Sequence, residues 1–303
     1  MLSYQINRDS GLLDQLKSHQ YINKDISIEY YDTPFHYAIL NNVFNADIYQ
    51  LLCSNFASYI SRTVPYKDQP GAVHDYAGYI YGLKKEDCQN GYDFFIDPLW
   101  KNFCSSIFNI ETNKYTALSA HWHKAPSKPG FVHKDLNICS TLISDKEDIG
   151  LTGNCYYSDD SIDKQPHTLK IIRSIALLFY FNNKEPLEEE DKGGTSIYTH
   201  WGFDNFVKEV KPINNSIFIF EVCPDSFHGF SGANFDRSSV VQWFHSSPAY
   251  LLHRHLNRVK HFHKHFNTAY ERWDRKNNPW PIENDPEYNK YFNKSFLEIL
   301  SEE

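Results

Sequence analysis

No stretch of about 18 consecutive apolar residues occurs in this 303-residue chain, so no membrane-spanning helix is expected. The opening residues, MLSYQINRDSGLLDQLKS, lack the basic, then apolar, then small-residue order of a secretory leader. None of the six cysteines (Cys53, Cys88, Cys104, Cys139, Cys155, Cys223) belongs to a CxxC pair. In a chain this long they read as reduced thiols of an intracellular, cytoplasmic protein, not as a disulfide framework. There is no internal repeat and no low-complexity tract. Basic residues are in deficit: 30 Lys and Arg against 38 Asp and Glu give a formal net charge of -8. That balance argues against a broad nucleic-acid surface.

Aromatic residues are plentiful, at 16% of the chain, with 21 Tyr, 22 Phe and 6 Trp. Such a composition favours a β-rich core and pockets walled by rings. Hydrophobic residues at 41% and charged residues at 22% are ordinary for a globular protein. The length suffices for a well-buried core.

The first thirty residues read as a polar, partly helical arm. PFHYAILNNVFNADIYQLLCSNF (34 to 56) then reads as a strand, a turn at Asn41 and Asn42, and a helix. Asn45 is its N-cap, and Ile48, Leu51, Leu52 and Phe56 recur at helical spacing. A further helix is expected in IDPLWKNFCSSIFNI. From about 116 to 250 short apolar strands alternate with turn-rich segments, among them GFVHKDLNICSTLI, RSIALLFYFN, GGTSIYTH, NSIFIFEV and SSVVQWFHS. That pattern predicts a barrel or sandwich. Residues 144 to 168 are polar and read as a long inserted loop. After Pro248 the periodicity is helical again, from Leu252 through Leu256, Val259, Phe262, Phe266 and Tyr270 to Trp273.

His133 and Asp135 sit one residue apart inside what reads as a strand, so their side chains point the same way. Two polar groups on one strand face either meet water or hold something. HxD alone occurs by chance in many proteins. A third candidate, His228, follows the apolar strand NSIFIFEV and a Pro-Asp turn. Two histidines and one carboxylate on one side of an ion make the facial arrangement of non-heme Fe(II) sites, with positions left open. A structural zinc more often takes four protein ligands, thiolates among them. Nine residues beyond His228 stands Arg237, at the start of an apolar strand. A guanidinium there is costly unless it meets an anion, which its planar fork would grip with two hydrogen bonds. Ser239 shares its face.

The set His133, Asp135, His228 and Arg237 resembles the iron- and 2-oxoglutarate-dependent dioxygenases, specifically the prolyl 4-hydroxylase-like branch. RSIALLFYFNN followed by GGTSIY resembles that branch's arginine, apolar strand and Gly-Gly strand. Trp243 falls where members carry a tryptophan, and residues 34 to 56 resemble the entry of many bacterial members. The resemblance spans roughly 34 to 248. It implies that His133, Asp135 and His228 bind iron, that Arg237 and Tyr180 hold the distal carboxylate of 2-oxoglutarate, and that Ser239 assists. His123 stands where the family often has a tyrosine near the cosubstrate. The implied reaction consumes O2 and 2-oxoglutarate, releases succinate and CO2, and oxidises an unactivated C–H bond by hydroxylation, cyclisation or desaturation. Asp135 is present where halogenating relatives carry a small residue, which argues for oxidation.

Other signals have simpler readings. His261 and His265 lie one helical turn apart, as a zinc pair would, but a solvated polar face accounts for them. LEEEDK (187 to 192) reads as an exposed turn. Tyr157 in the inserted loop, with Trp122 and Trp243, are candidates for the substrate wall, although ring packing is the default for strand aromatics. The expectation is one domain over 1–303: a mainly β protein with flanking helices and a double-stranded β-helix (jelly-roll, cupin-like) core at 116–250, an N-terminal arm with supporting helices over 1–115, and a helical segment over 251–303. A small, amino-acid-derived metabolite is the expected substrate, with no nucleic-acid or membrane partner. The alternatives are a peptidyl (prolyl-type) hydroxylase and a non-enzymatic jelly-roll scaffold holding a metal or anion.

Overall fold

The computed structural model describes residues 6–69, 78–142, 151, 168–256, 286–295 and 298. Eleven strands are present among them: β1 Ser27–Tyr31, β2 Tyr37–Asn41, β3 Tyr79–Gly82, β4 Thr116–His123, β5 Ile138–Leu142, β6 Thr168–Tyr180, β7 Thr195–Tyr198, β8 Phe206–Val210, β9 Ser216–Glu221, β10 His228–Phe230 and β11 Arg237–Ser246. Helices α1 (Ser10–Lys17), α2 (Ala46–Ile60), α3 (Pro98–Phe108) and α4 (Pro248–Arg254) flank them. No described helix is long and apolar enough to cross a membrane.

All strand pairs are antiparallel. The larger sheet runs β1-β2-β9-β6-β11-β4-β3 with β5 paired to β6, and the smaller runs β10-β7-β8. The segment at His133 extends the smaller sheet by bridging His228 on β10. From β4 onward the chain crosses from the large sheet to the small at His133, returns in β5 and β6, crosses in β7 and β8, returns in β9, crosses in β10 and ends in β11. This alternation between two facing antiparallel sheets is the jelly roll. Arm residues add a strand that the sequence reading did not anticipate: β1 pairs β2, which in turn pairs β9.

Local chemistry accounts for the helix ends. Asn45 accepts a hydrogen bond from the Ile48 N–H at the start of α2, and Asp97 accepts from Leu99 N–H ahead of Pro98 in α3. In α2 the core-facing residues are Leu52, Phe56 and Tyr59, whereas Leu51 is exposed, at 37%. The helices cover one face of the large sheet, where Phe44, Phe95, Trp100, Phe179 and Phe181 are among the largest buried side chains. Arg254 of α4 joins three elements. It bonds Glu221 of β9 at 3.0 Å and caps the carbonyls of Phe108 and Asn109 at the end of α3, each at 2.7 Å.

The five described cysteines are free thiols. LEEEDK is less simple than an exposed turn. Asp191 is buried and accepts from Lys184 Nζ at 2.7 Å and from the Glu188 N–H at 2.8 Å, so it organises the turn around itself. The inserted loop with Tyr157, the apolar stripe beyond Leu256 and the His261–His265 pair lie outside the described residues, apart from Leu151, which bridges Thr116, and Thr168, which opens β6 instead of closing the loop.

Candidate active site

The expectation that His133 and Asp135 lie within one strand is corrected by the backbone. His133 belongs to a single bridge, and Asp135 adopts a left-handed conformation with φ 59. Its carbonyl accepts from Asn137 N–H at 2.7 Å, closing a tight turn. Aspartate tolerates this region better than most side chains. The two groups therefore converge because the chain turns, not because a strand alternates.

His133 and His228 exchange backbone hydrogen bonds in both directions, each at 2.8 Å, which sets their rings side by side with centroids 4.3 Å apart. Each ring is fixed from behind. His133 Nδ1 donates to the Phe131 carbonyl at 3.0 Å, and His228 Nδ1 donates to that of Ser226 at 2.8 Å. Both Nε2 lone pairs are left free and face Asp135, at 3.8 Å for His133 and 3.6 Å for His228. The ligand atoms of the three residues lie within 4.8 Å of one another, and among the described residues this is the one cluster fit to hold a metal ion. A backbone acceptor behind each imidazole is the usual outer support of a metal-binding histidine. Ser226 also ties the segments together: its hydroxyl donates to the Lys134 carbonyl at 3.1 Å while its own carbonyl holds His228.

Electrostatics suit a divalent cation. Burial pushes His133 down to about 4, so the imidazole is neutral near pH 7. Burial alone would raise the Asp135 carboxyl, but the Arg173 guanidinium beside it holds it well below the usual range. Arg173 Nη1 donates to Asp135 Oδ1 at 2.5 Å, and Trp243 Nε1 donates to Oδ2 at 2.8 Å. The sequence reading assigned neither residue this role. Arg173 reaches the site through a β-bulge. Phe244 pairs with Ile175, but His245 pairs with Arg173, so Ser174 is skipped. Without it Arg173 would share the face of Ile175, Leu177 and Phe179, which is buried under the helices. Bulges re-aim side chains in this way.

A second group of polar residues lies on the same inner face. Residues opposite one another in an antiparallel ladder point to the same side. Ser239 of β11 stands opposite Tyr180 of β6 and His121 of β4, and Arg237 stands opposite His123. Arg237 is 2% exposed. Its guanidinium lies 5.3 Å from the Tyr180 ring, 5.2 Å from the Phe230 ring, and 3.4 Å from His123 Nδ1. No carboxylate pairs with it among the described residues, and its Nε has no partner. Ser239 Oγ is also buried without a partner. The Tyr180 hydroxyl shares a 2.7 Å hydrogen bond with Thr195 Oγ1. Burial raises the phenol's pKa, and Tyr180 remains a donor at neutral pH. Burial and the Arg237 charge hold His123 well below the usual histidine value, leaving it neutral beside the guanidinium.

Of the three substrate-wall candidates, Trp243 lies at the site, against Asp135. Trp122 does not. It stands opposite Ser238, packs at 5.1 Å on Tyr79 and contributes to the helix-side core, because even-numbered residues of β4 face the helices and odd-numbered ones the site. His121, two residues before His123 and on its face, passed unnoticed in the sequence, although the spacing in HWH carries the signal.

No protein-family model matches the chain, and no curated protein matches it. Among solved structures it is similar to a prolyl-4-hydroxylase of Pseudomonas putida, at 13% identity over 78% of this chain and 97% of that one, with a TM-score of 0.44. It is similar to a prolyl hydroxylase of Trichoplax adhaerens in complex with a hypoxia inducible factor oxygen degradation domain peptide fragment, at 13% identity over 78% and 93%, with a TM-score of 0.47. A third is the viral collagen prolyl hydroxylase of Paramecium Bursaria Chlorella virus-1, at 12% identity over 69% and 95%, with a TM-score of 0.42. What the site of this chain can do follows from its own side chains.

Proposed function

We propose that this protein is an iron(II)- and 2-oxoglutarate-dependent oxygenase that oxidises an unactivated C–H bond of a small, amino-acid-derived metabolite. The observation that carries the reading is Arg237. A buried guanidinium with no anion beside it is costly, and this one shares the inner sheet face with partnerless Ser239 Oγ. A carboxylate-bearing ligand reaching from Arg237 towards His133, Asp135 and His228 would satisfy both.

Iron(II) suits the donor set, because two imidazoles and one carboxylate leave positions open for a chelating keto acid. When bound, the iron would supply the oxidative decarboxylation of 2-oxoglutarate to succinate and CO2, with O2 consumed and the substrate C–H bond oxidised. The protein's own share is positioning and exclusion of water. His133 and His228 present Nε2. Asp135 stays ionised between Arg173 and Trp243. Arg237, Tyr180 and Ser239 hold the far carboxylate. Phe220, 4.6 Å from the His228 ring, and Phe230, against Arg237, put carbon beside the metal ligand and the guanidinium.

A peptide substrate is the second reading. The exposed ring of Phe131, 4.9 Å from the His133 ring, favours it, because an apolar rim beside a metal ligand suits an extended chain. Anaerobic addition of Fe(II) and then 2-oxoglutarate should produce a weak visible charge-transfer band, and oxygen should then yield succinate. Failure to bind 2-oxoglutarate overturns the oxygenase reading in favour of a metal- or anion-holding scaffold. Succinate release stimulated by peptides and not by metabolite pools overturns the small-molecule assignment.

A further inference from the structure

Between the Arg237 end of the cavity and the metal end stands a histidine that none of the roles above uses. His121 lies in a row of side chains across five strands, Ile80, His121, Ser239, Tyr180 and Ser216, all on the inner face. Its ring centroid is 6.5 Å from that of His123, beside Arg237, and 6.5 Å from that of Trp243, beside Asp135. It is close enough to both ends for the charges of Arg237 and Asp135 to act on it. One ring nitrogen is committed: Nε2 shares a 2.7 Å hydrogen bond with Ser119 Oγ. A serine hydroxyl can donate or accept. With Ser119 donating to Nε2, the ring proton resides on Nδ1, which has no partner among the described residues.

We propose that His121 is a further binding residue for the keto acid, donating its Nδ1–H to the ligand part-way between Arg237 and the metal. The inference rests on the oxygenase reading. Three observations converge on it. The row places His121 beside Ser239, whose own hydroxyl awaits a partner. The Ser119 bond holds Nε2 and leaves Nδ1 as the ring's free nitrogen, a donor when the Ser119 hydroxyl donates to Nε2. Burial pushes the imidazole down to about 3, so it is a neutral donor that neither adds a charge next to Arg237 nor exchanges its proton near pH 7. A hydrogen bond to a carboxylate or keto oxygen from such a donor costs no ionisation and discriminates against ligands lacking an oxygen there.

The test exploits the geometry of amides. The amide nitrogen of asparagine superimposes on histidine Nδ1, and that of glutamine on Nε2. Binding of 2-oxoglutarate to the Mn(II)-loaded protein is measured by calorimetry for wild type, His121→Phe, His121→Asn and His121→Gln, with a melting curve for each. His121→Phe and His121→Gln should weaken 2-oxoglutarate binding about tenfold or more, the loss of one hydrogen bond to a charged acceptor. His121→Asn should restore most of it. If all three bind like wild type, or if Gln restores binding and Asn does not, His121 serves Ser119 alone and the inference falls. If wild type itself binds no 2-oxoglutarate, the oxygenase reading falls first, a result that wild type alone reveals.

Discussion

The Arg173 guanidinium lies 4.1 Å from the centroid of the Trp243 ring. Each also reaches one oxygen of Asp135, so a cation, an indole and a carboxylate form one closed unit behind the metal position. Removing the indole N–H while keeping the ring isolates one part of that unit. Trp243→Phe should lower Mn(II) or Fe(II) affinity by about 10- to 100-fold, the usual effect of losing an outer partner of a metal ligand. Isothermal titration of the metal-free protein measures it, and unchanged affinity would mean that Trp243 does not orient Asp135.

Arg237 makes an unusual prediction about stability. Its charge is buried without an anion, so Arg237→Met should leave the ligand-free protein melting no lower than wild type. The same change should weaken 2-oxoglutarate binding by about 2–5 kcal/mol, as for truncation of one partner of a buried charge pair. Melting curves with and without 2-oxoglutarate read both effects. A variant less stable than wild type in the absence of ligand would show that Arg237 already has its partner within the fold.

The metal-free protein should lose stability as pH falls below about 6.5. An unfolded chain protonates its histidines near 6.5, whereas burial keeps folded His133 neutral down to about 4 and His121 to about 3. The unfolded state therefore takes up protons first, and folding weakens across that window. Asp135, held well below its usual value, and Glu221, lowered to about 2 although burial opposes the shift, add the same sign once pH passes below about 4.5. Chemical denaturation at pH 7, 6 and 5 should show a steady decline, and a flat profile would contradict imidazoles held neutral by the fold. Metal binding should weaken over the same acid range as protons compete for Nε2.

Gly194 marks a close approach between strands. A Cβ there would lie 2.1 Å from the Val210 carbonyl oxygen and 2.7 Å from Glu209 Oε1. Gly194→Ala should destabilise the protein by about 1–3 kcal/mol or more. Because β7 also pairs with β10, which carries His228, metal affinity should fall in parallel. Urea unfolding and a metal titration on one sample check the pairing of the two losses.

Much of this architecture was legible in the sequence because it is written in period-two patterns and caps. NSIFIFEV, SSVVQWFHS and the Asn45 cap became the elements expected of them. His133, Asp135 and His228 converge, and Arg237 stands opposite His123 on the inner sheet face; all four are polar interruptions of apolar segments. What the sequence hid is what depends on a skipped residue. The bulge at Ser174 turns Arg173 from the helix side to the cavity, and no periodicity announces it. Asp135 was expected to align with His133 by alternation and does so by a left-handed turn. Trp122 illustrates the opposite case: simple parity, counted from His123, already places it on the far face.

The mutual backbone grip of His133 and His228 has a consequence for how such a protein can change over time. The spacing of the two imidazoles is set by one rung of main-chain bonding between their own residues. Loops hung from the surrounding strands can thus be lengthened, shortened or exchanged without disturbing the inner chemistry.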